Sequence, residues 1–267
     1  MTRGSGHGMQ VRHSVFPEMS PTAANAVFDE LTVVVGESMT PGVDPASSWA
    51  VHEWTERRDE VLAGWNVYVA AVDGEVEGFI TYQLIDLDGR LGVLIGVGCV
   101  RPAYQSQGLA YELNFRLLMR ALVRSRGRGC FIVARMLNPA ALHGWRKQVH
   151  DRTRCYPYLG SGPHPGRTVE RAAARFVEEH EATSVFDPTT GVLKARHPAG
   201  PRATRPSGSA EVDAYFRDHV DVDAGDTVLM VIDINRRGLL SQLGTIGNAA
   251  RRVLRRADHD RPVGAPR

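Results

Sequence analysis

The sequence predicts an α/β fold in which a mixed central β-sheet is flanked by helices. Two observations support this prediction. Residues 66–100 contain three apolar runs separated by Asp73-Gly74 and Asp88-Gly89, dipeptides that favour tight hairpin turns. A helical pattern over 109–126 then leads into an apolar strand over 130–136. A helix that joins two strands in this way is a crossover, so these two strands are expected to be parallel.

The composition is that of an ordinary globular protein. Of 267 residues, 43% are hydrophobic and 23% are charged, close to the averages for soluble domains. No apolar run approaches the length of a membrane helix, and the N-terminus MTRGSGHGMQ lacks the apolar core of a secretory signal. The three cysteines form no CxxC pair, so we expect a reduced, cytoplasmic protein without a metal. Cys99 and Cys130 are expected to be buried packing residues.

Helices are predicted before the meander, after a short apolar stretch over 11–16. Ser20-Pro21 is suited to the N-cap and first position of a helix. Trp49–Leu62 is predicted as a second helix. The last meander strand, 91–100, is apolar on both faces, which is typical of a central strand. The apolar residues at helical spacing in the first helix are Ala24, Val27, Phe28 and Leu31.

The last hundred residues differ in composition. Thr168–Glu181 is predicted as a helix, whereas 197–210 is too rich in Pro, Gly and Ser for regular structure. Val192–Arg196 and Asp226–Asn235 are predicted as strands that complete the sheet. We therefore divide the chain into a core over 1–160, an insertion with sheet-completing strands over 161–235, and a basic, mobile tail over 236–267.

The most informative segment is CVRPAYQSQGLA, residues 99–110. A buried strand ends here, and Gly108 begins a helix that runs to Arg126. A helix start offers unpaired backbone N–H groups and the positive end of the helix dipole, which favour an anion such as phosphate. A side chain at position 108 would hold the phosphate away from the backbone, while Gln105 and Gln107 can add neutral donors. No Lys-Ser/Thr pair and no GxGxxG pattern is present, which argues against a triphosphate P-loop and a dinucleotide fold.

The segment 100–110, VRPAYQSQGLA, resembles the acyl-CoA-binding motif of the GNAT superfamily of N-acyltransferases, whose loop is written Gln/Arg-x-x-Gly-x-Gly/Ala. The order of elements is also similar: three meander strands before the loop, a long helix after it, then a strand and Asn138-Pro139 at the start of another helix. The resemblance covers residues 10–155. It implies an acyltransferase that moves an acetyl or other acyl group from acyl-CoA to a primary amine.

The resemblance also implies where coenzyme A binds. The pantetheine arm would run beside the strand before the loop, in a gap between that strand and 130–136, and Asn138 matches the asparagine that bonds to the arm. Acetyl-CoA or another acyl-CoA is therefore the expected co-substrate. The residues implied for the arm are Gly98, Cys99 and Val100, and those implied for the pyrophosphate are Gln105, Ser106, Gln107, Gly108, Leu109 and Ala110.

The implied reaction is direct attack of a neutral amine on the thioester carbonyl, which backbone N–H groups near 98–100 would polarise. The leaving thiolate commonly receives its proton from a tyrosine seven residues after the motif asparagine. This sequence has Trp145 there, and an indole N–H is not a useful acid. Either Tyr156 or Tyr158 reaches back, of which we choose Tyr156, or the thiolate leaves without a side-chain acid.

No general base is evident on the apolar central strand. Glu53 is our candidate for the group that takes the amine proton. His52, Asp86 and Asp88 are near the substrate cleft in the order of elements. Because charged side chains are mostly exposed, an ordinary surface position is the competing interpretation for each of these residues.

Two other functions stay open. Arginine-rich segments at 120–128, 146–154 and the C-terminus favour an RNA-linked or carrier-linked acyl donor or an RNA substrate, although a net charge of +2 is low for such a protein. Trp145 in place of the tyrosine is consistent with a non-catalytic acyl-CoA sensor. The primary interpretation has a small-molecule amine as acceptor and no membrane partner, and leaves open whether the protein is a homodimer.

Overall fold

The computed structural model describes residues 9–147, 152–160, 163–199, 202 and 204–234. Within these residues, nine strands form one mixed sheet in the order β1-β2-β3-β4-β5-β9-β8-β7, with β6 paired beside β9. The strands are β1 Gln10–Val15, β2 Asn66–Val72, β3 Glu75–Leu87, β4 Arg90–Val100, β5 Cys130–Met136, β6 Cys155–Tyr156, β7 Val185–Asp187, β8 Val192–Lys194 and β9 Thr227–Ile234.

Strands β2 to β4 form the predicted antiparallel meander, and β1 pairs antiparallel with β2 at its edge. In the β2–β3 turn, Asp73 and Gly74 have φ values of 54° and 91°, and in the β3–β4 turn, Asp88 and Gly89 have 55° and 71°. Two consecutive residues with positive φ are what a type I′ hairpin requires, so the Asp-Gly pairs are where their chemistry predicts. Strand β5 pairs with β4 in parallel, which confirms the predicted crossover.

Helices cover both faces of the sheet. On one face, α4, α5 and α7 pack against alternate side chains of the strands, including Val93 of β4. On the other face, α1, α2, α3 and α6 pack against the intervening side chains, including Leu94. Strand β4 is thus covered on both sides, as predicted, and Cys99 and Cys130 are buried. The helices are α1 Pro21–Met39, α2 Trp49–Glu56, α3 Arg58–Gly64, α4 Leu109–Arg124, α5 Pro139–Lys147, α6 Arg167–His180 and α7 Ala210–His219.

One helix prediction was wrong, and one helix was missed. The single helix predicted over 49–62 is divided into α2 and α3 at Arg57, whose φ of −92° and ψ of 10° leave helical geometry. The side chain of Arg57 binds the Glu60 carboxylate in the next turn, a contact that apolar periodicity does not report. Helix α7 was missed altogether, although it buries Val212, Tyr215 and Phe216.

The C-terminal half of the chain contributes directly to the sheet. Strand β9 pairs antiparallel with all of β5, from Cys130 opposite Ile234 to Met136 opposite Val228. The division at residue 160 stays a prediction, and the predicted tail over 236–267 lies outside the described residues. No helix in the described part of the chain is long and apolar enough to cross a membrane.

Candidate active site

Residues 105–110 comprise the end of the connection between β4 and α4 and the first residues of α4. They are named the donor loop here, after the acyl donor expected to bind them. Gly108 is the N-cap of α4 with a φ of 90°, a left-handed conformation that glycine adopts without steric cost. No side chain caps this helix, so the N–H groups of its first turn have no partner inside the helix. Together with the positive end of the helix dipole, they make an anion-binding position.

The two glutamines of the donor loop shape it. The side-chain amide of Gln105 donates to the carbonyl oxygen of Val100 at 2.9 Å, and that of Gln107 donates to Ala103 at 2.6 Å. Each side-chain amide therefore donates a hydrogen bond within the turn itself. The sequence analysis expected these amides to donate to a ligand. The Gln105 Oε1 atom accepts a hydrogen bond at 2.8 Å from Arg205, a residue a hundred positions later in the chain.

Strands β4 and β5 separate next to the donor loop. The last residues paired between them are Ile95 and Ala134. At the same level, β4 carries one extra residue opposite Thr81 of β3, and the Thr81 hydroxyl accepts a hydrogen bond at 2.8 Å from the Val97 N–H. Such a bulge bends a strand and increases its twist. The β5-facing edge of residues 96–100 is consequently open, and an open edge can pair with an extended ligand.

Asn138 lies at the start of α5, beyond the end of β5. Its Oδ1 atom accepts a hydrogen bond at 2.8 Å from the Ala140 N–H, so this oxygen caps the helix. The Nδ2 group takes no part in that bond. Trp145, seven residues later, packs in the apolar core at 7% exposure.

Tyr156 lies away from the open edge of β4. It belongs to β6, which pairs with β9 on the far side of β5. Its hydroxyl donates to the carbonyl oxygen of Pro188 at 2.9 Å, and burial raises the pKa of this phenol above its usual value. The neighbouring Tyr158 packs against the ring of His164 at 5.1 Å. The structure therefore does not bring either tyrosine to the donor loop.

The Glu53 side chain extends from α2 and meets a residue that the sequence did not single out. Its Oε1 atom accepts a hydrogen bond from Nδ1 of His197, in the segment after β8. Both side chains are largely enclosed, at 17% and 14% exposure. Burial by itself raises the pKa of Glu53, but the bond to His197 and the charges of His197, Arg202 and Arg57 outweigh it, so the pKa is lowered.

The other base candidates are surface residues or lie elsewhere. His52 is 72% exposed and pairs with Glu56 on the same helix. Asp86 accepts a hydrogen bond within the β3–β4 turn, and Asp88 pairs with Arg171. That turn is at the opposite end of β4 from the donor loop, so neither aspartate reaches it.

Contacts lead from the open edge of β4 to Arg57, whose charge acts on the Glu53–His197 pair. A Cβ atom on Gly96 would lie 2.4 Å from the Trp65 ring, so this indole packs directly on the bulged part of β4. The Trp65 indole N–H donates to Glu60 at 3.3 Å, and Glu60 binds Arg57. Arg57 in turn is close enough to Glu53 for the two charges to shift each other's pKa.

The sequence interpretation missed His197 and Arg205. Both follow β8, in the stretch that composition identified only as irregular. His197 meets Glu53 and Arg205 meets Gln105, so one segment reaches both sides of the candidate site. No local spacing signals such contacts, because their partners are more than ninety residues away in the chain.

Residues 34–149 match the sequence model of the acetyltransferase (GNAT) family. They form a GNAT acetyltransferase domain. This range contains the bulged β4, the donor loop, Asn138 and Glu53. Acyl transfer from acyl-CoA is the activity that goes with this family, whereas His197 and Arg205 lie beyond the matched range.

Solved structures with a related arrangement include three with a bound coenzyme. A GNAT family N-acetyltransferase from Escherichia coli in complex with CoA is 18% identical, covers 54% of this chain and 71% of its own, and has a TM-score of 0.37. A GNAT family acetyltransferase from Brucella melitensis with acetyl-CoA is 25% identical, with coverages of 47% and 75% and a TM-score of 0.34. An aminoglycoside N-acetyltransferase, AAC(6')-Iy, with CoA is 15% identical, with coverages of 46% and 75% and a TM-score of 0.33.

These TM-scores are low, so the family assignment rests on the sequence match. No curated protein sequence matches the chain.

Proposed function

We propose that this protein transfers an acyl group, acetyl in the simplest case, from acyl-CoA to a primary amine on a small molecule. One observation carries the proposal. The open edge of β4 beyond Ile95 leads directly to the uncapped first turn of α4. An extended amide-containing arm and an anionic group can therefore be bound one after the other, in the order in which pantetheine and pyrophosphate follow each other in coenzyme A.

The donor side of the site uses mainly backbone groups. Residues 105–110 would surround the pyrophosphate, with Gly108 allowing close approach and the N–H groups of Ser106 and the first turn of α4 donating to it. The N–H groups of Gln105 and Gln107 already donate to the Pro102 and Tyr104 carbonyl oxygens, each at 3.3 Å. Gly98, Cys99 and Val100 would pair with the pantetheine arm, and the exposed position of Gly98 leaves room for it. The Nδ2 group of Asn138, which the helix cap does not use, would donate to the arm.

In the reaction, the amine nitrogen attacks the thioester carbon and the C–S bond breaks. The developing oxyanion would be stabilised by N–H groups on the open edge of β4, where the bulge interrupts the regular alternation. The CoA sulfur departs as a thiolate. Tyr156 is bound to Pro188 and Trp145 is buried, which favours departure without a side-chain acid and final protonation by water.

Calorimetric titration with CoA and acetyl-CoA tests the donor site. Gly108→Glu places a side chain and a negative charge where the pyrophosphate would bind, and like charges in contact reduce affinity by about 100-fold or more. Gly127→Glu is the matched control. It introduces the same residue at a similar φ of 72°, just beyond the other end of α4, where a Cβ meets no atom within 4 Å.

The expected result is micromolar binding to the wild type and to Gly127→Glu, with binding lost in Gly108→Glu. Equal affinity of all three proteins would refute the donor site. Tight binding without turnover of any amine would favour the sensor alternative. An RNA-linked acyl donor would instead require wild-type protein that binds no CoA. Against this alternative, Arg146 in one of the basic segments is buried and donates to the Pro157 carbonyl oxygen at 3.0 Å, so its charge does not face an RNA.

A further inference from the structure

We propose that His197 is the general base that takes the proton from the attacking amine, and that Glu53 is the positioning residue that orients its ring. This inference rests on the proposed acyltransferase function. It assigns the proton-accepting role to a residue beyond the family domain, and it moves Glu53 from the base itself to the partner of the base.

The hydrogen bond between the two side chains determines which ring nitrogen of a neutral imidazole carries the proton. An ionised carboxylate can only accept, so Nδ1 of His197 carries the proton that is donated to Glu53 Oε1. In a neutral imidazole, Nε2 then keeps its lone pair and can accept a proton. The structure gives Nε2 no hydrogen-bond partner among the residues it describes. When Nε2 is protonated, the adjacent carboxylate stabilises the imidazolium.

Glu53 is poorly suited to act as the base alone. Its pKa is lowered, because the bond and charge of His197 and the charges of Arg202 and Arg57 outweigh the effect of burial. A carboxylate with a low pKa holds a proton weakly near neutral pH, whereas an imidazole titrates there. In this arrangement, the imidazole accepts the proton and the carboxylate orients the imidazole ring.

The surroundings of the pair are polar and incompletely satisfied. The Glu53 Oε2 atom and the Arg202 Nε and Nη1 atoms are buried without a hydrogen-bond partner in the described part of the chain. The Arg202 guanidinium lies 3.8 Å from the centre of the Trp49 ring, and that ring is 6.4 Å from His197. Buried polar atoms without partners are costly, and a polar acceptor molecule would supply the missing partners.

Residues between the pair and the open edge of β4 lie on one face of the sheet. Trp65 packs on Gly96 at the bulge of β4, and Glu60 and Arg57 continue from Trp65 toward Glu53. From the other strand, Arg135 follows the last β4–β5 pair and binds Glu181. Glu181 also binds Arg196 at 2.8 Å, immediately before His197. Both strands that open for the thioester are thus connected to the pair.

Charged groups around the pair determine the pH response. Glu53 and Arg57 face it from α2 and the residue that follows, and Arg202 faces it from the segment after β8. Asp223, before β9, binds the Arg202 backbone N–H at 2.8 Å. Removing the Glu53 charge leaves the two arginine charges beside the imidazole without a carboxylate that faces them.

The experiment measures release of the CoA thiol from acetyl-CoA between pH 5.5 and 9. The acceptors are an alkylamine, a polyamine, an amino sugar and a peptide with a free N-terminus. The variants are His197→Ala, His197→Gln and Glu53→Gln. His52→Ala, an exposed histidine on α2, is the control. Acetyl-CoA affinity and thermal unfolding are measured for every protein.

We expect His197→Ala and His197→Gln to lower kcat about 100-fold to 10,000-fold, the range for loss of a general base, with acetyl-CoA affinity unchanged. The rise of kcat/KM with pH through the histidine range should disappear. Glu53→Gln should lower kcat less than the His197 variants do and should keep that rise, and His52→Ala should match the wild type. A structural role alone would change thermal unfolding without removing the pH-dependent rise.

The inference is overturned if both His197 variants keep the wild-type pH profile. Acetyl-CoA binding by a wild type that releases thiol no faster than buffer with every amine would instead count against the proposed function, in favour of the sensor alternative. Absence of acetyl-CoA binding in the wild type would also refute the proposed function, so the failure of the inference, an unchanged pH profile in an active enzyme, is distinguishable from both.

Discussion

Asp226 anchors the segment that carries His197, and replacing it with alanine should destabilise the protein measurably. The carboxylate is buried at 3% exposure just before β9. It accepts hydrogen bonds from the Lys194 ammonium at 2.7 Å, the Ala195 N–H at 3.0 Å and the Asp221 N–H at 3.2 Å. Ala195 has a φ of 46°, so the carboxylate holds a backbone conformation that alanine rarely adopts.

The size of the effect follows from these three bonds. Asp226→Ala leaves two backbone N–H groups without their acceptor, at about 1–3 kcal/mol each when they stay dry. The Lys194 side chain is 46% exposed, so its charge returns to water and contributes about 0–1 kcal/mol. The free energy of unfolding should therefore fall by about 2–7 kcal/mol. In a chain of this size, that corresponds to a Tm lower by roughly 4–28 °C.

The effect should depend on pH in one direction. Burial alone raises the pKa of Asp226, but the bonds from Lys194, Ala195 and Asp221 outweigh it, so the folded-state pKa is lower than the unfolded one. A lowered pKa gives stability that is present above the unfolded pKa of about 3.9 and is lost as pH falls through the folded pKa. The difference between wild type and variant should thus be constant from pH 7 to 5 and shrink below pH 4.

Urea unfolding at pH 7 and at pH 3.5 measures the difference, and Asp218→Ala is the control. Asp218 pairs with Arg217 on the surface, with both side chains more than half exposed, so the control should lie within about 1 kcal/mol of wild type. The reasoning is refuted if the two variants are equally stable at pH 7. It is also refuted if the loss in Asp226→Ala is as large at pH 3.5 as at pH 7.

Three further predictions concern the site and the core. Gly96→Ala should lower the free energy of unfolding by about 1–3 kcal/mol in urea titrations, because its Cβ would overlap the Trp65 ring. Arg205→Ala should weaken CoA binding about 2-fold to 10-fold in calorimetry, since a surface cation near a phosphate contributes about 0.5–1.5 kcal/mol, and should leave binding of phosphate-free pantetheine unchanged. Burial raises the pKa of Cys99 and of Cys130 to about 12, so neither thiol should react with a disulfide reagent at pH 8 before urea unfolds the protein.

Local chemistry is the reason that much of the fold can be predicted. An Asp-Gly pair between two apolar runs has few alternatives to a tight hairpin, and Ser20 before Pro21 starts a helix wherever the following residues allow it. The donor loop belongs to the same class, because a glycine N-cap after a buried strand depends only on its neighbours. These features need no knowledge of the rest of the chain.

The acceptor side could not be predicted in this way. Glu53 became a candidate only because of its place in the order of elements, and its partner is 144 positions away. The break between α2 and α3 is accompanied by an ion pair between Arg57 and Glu60. The spacing of apolar residues gives no sign of this pair. Likewise, Tyr156 was chosen by proximity in sequence to α5, but β6 pairs with β9 and carries it away from the donor loop.

The segment after β8 is rich in Pro, Gly and Ser, so its structure could not be predicted from the sequence. The same composition allows it to take part in the site. Its turn depends on a close approach in which a Cβ on Gly225 would lie 2.0 Å from the His197 carbonyl oxygen, and Gly225 has a φ of 85°. The His197 N–H then donates to the Gly225 carbonyl at 3.1 Å, which fixes the backbone beside Glu53. Further along, Arg205 reaches the donor loop. His197 and Arg205 themselves lie outside helices and strands, so residues that a pattern of regular structure does not mark contact both the acceptor side and the donor loop.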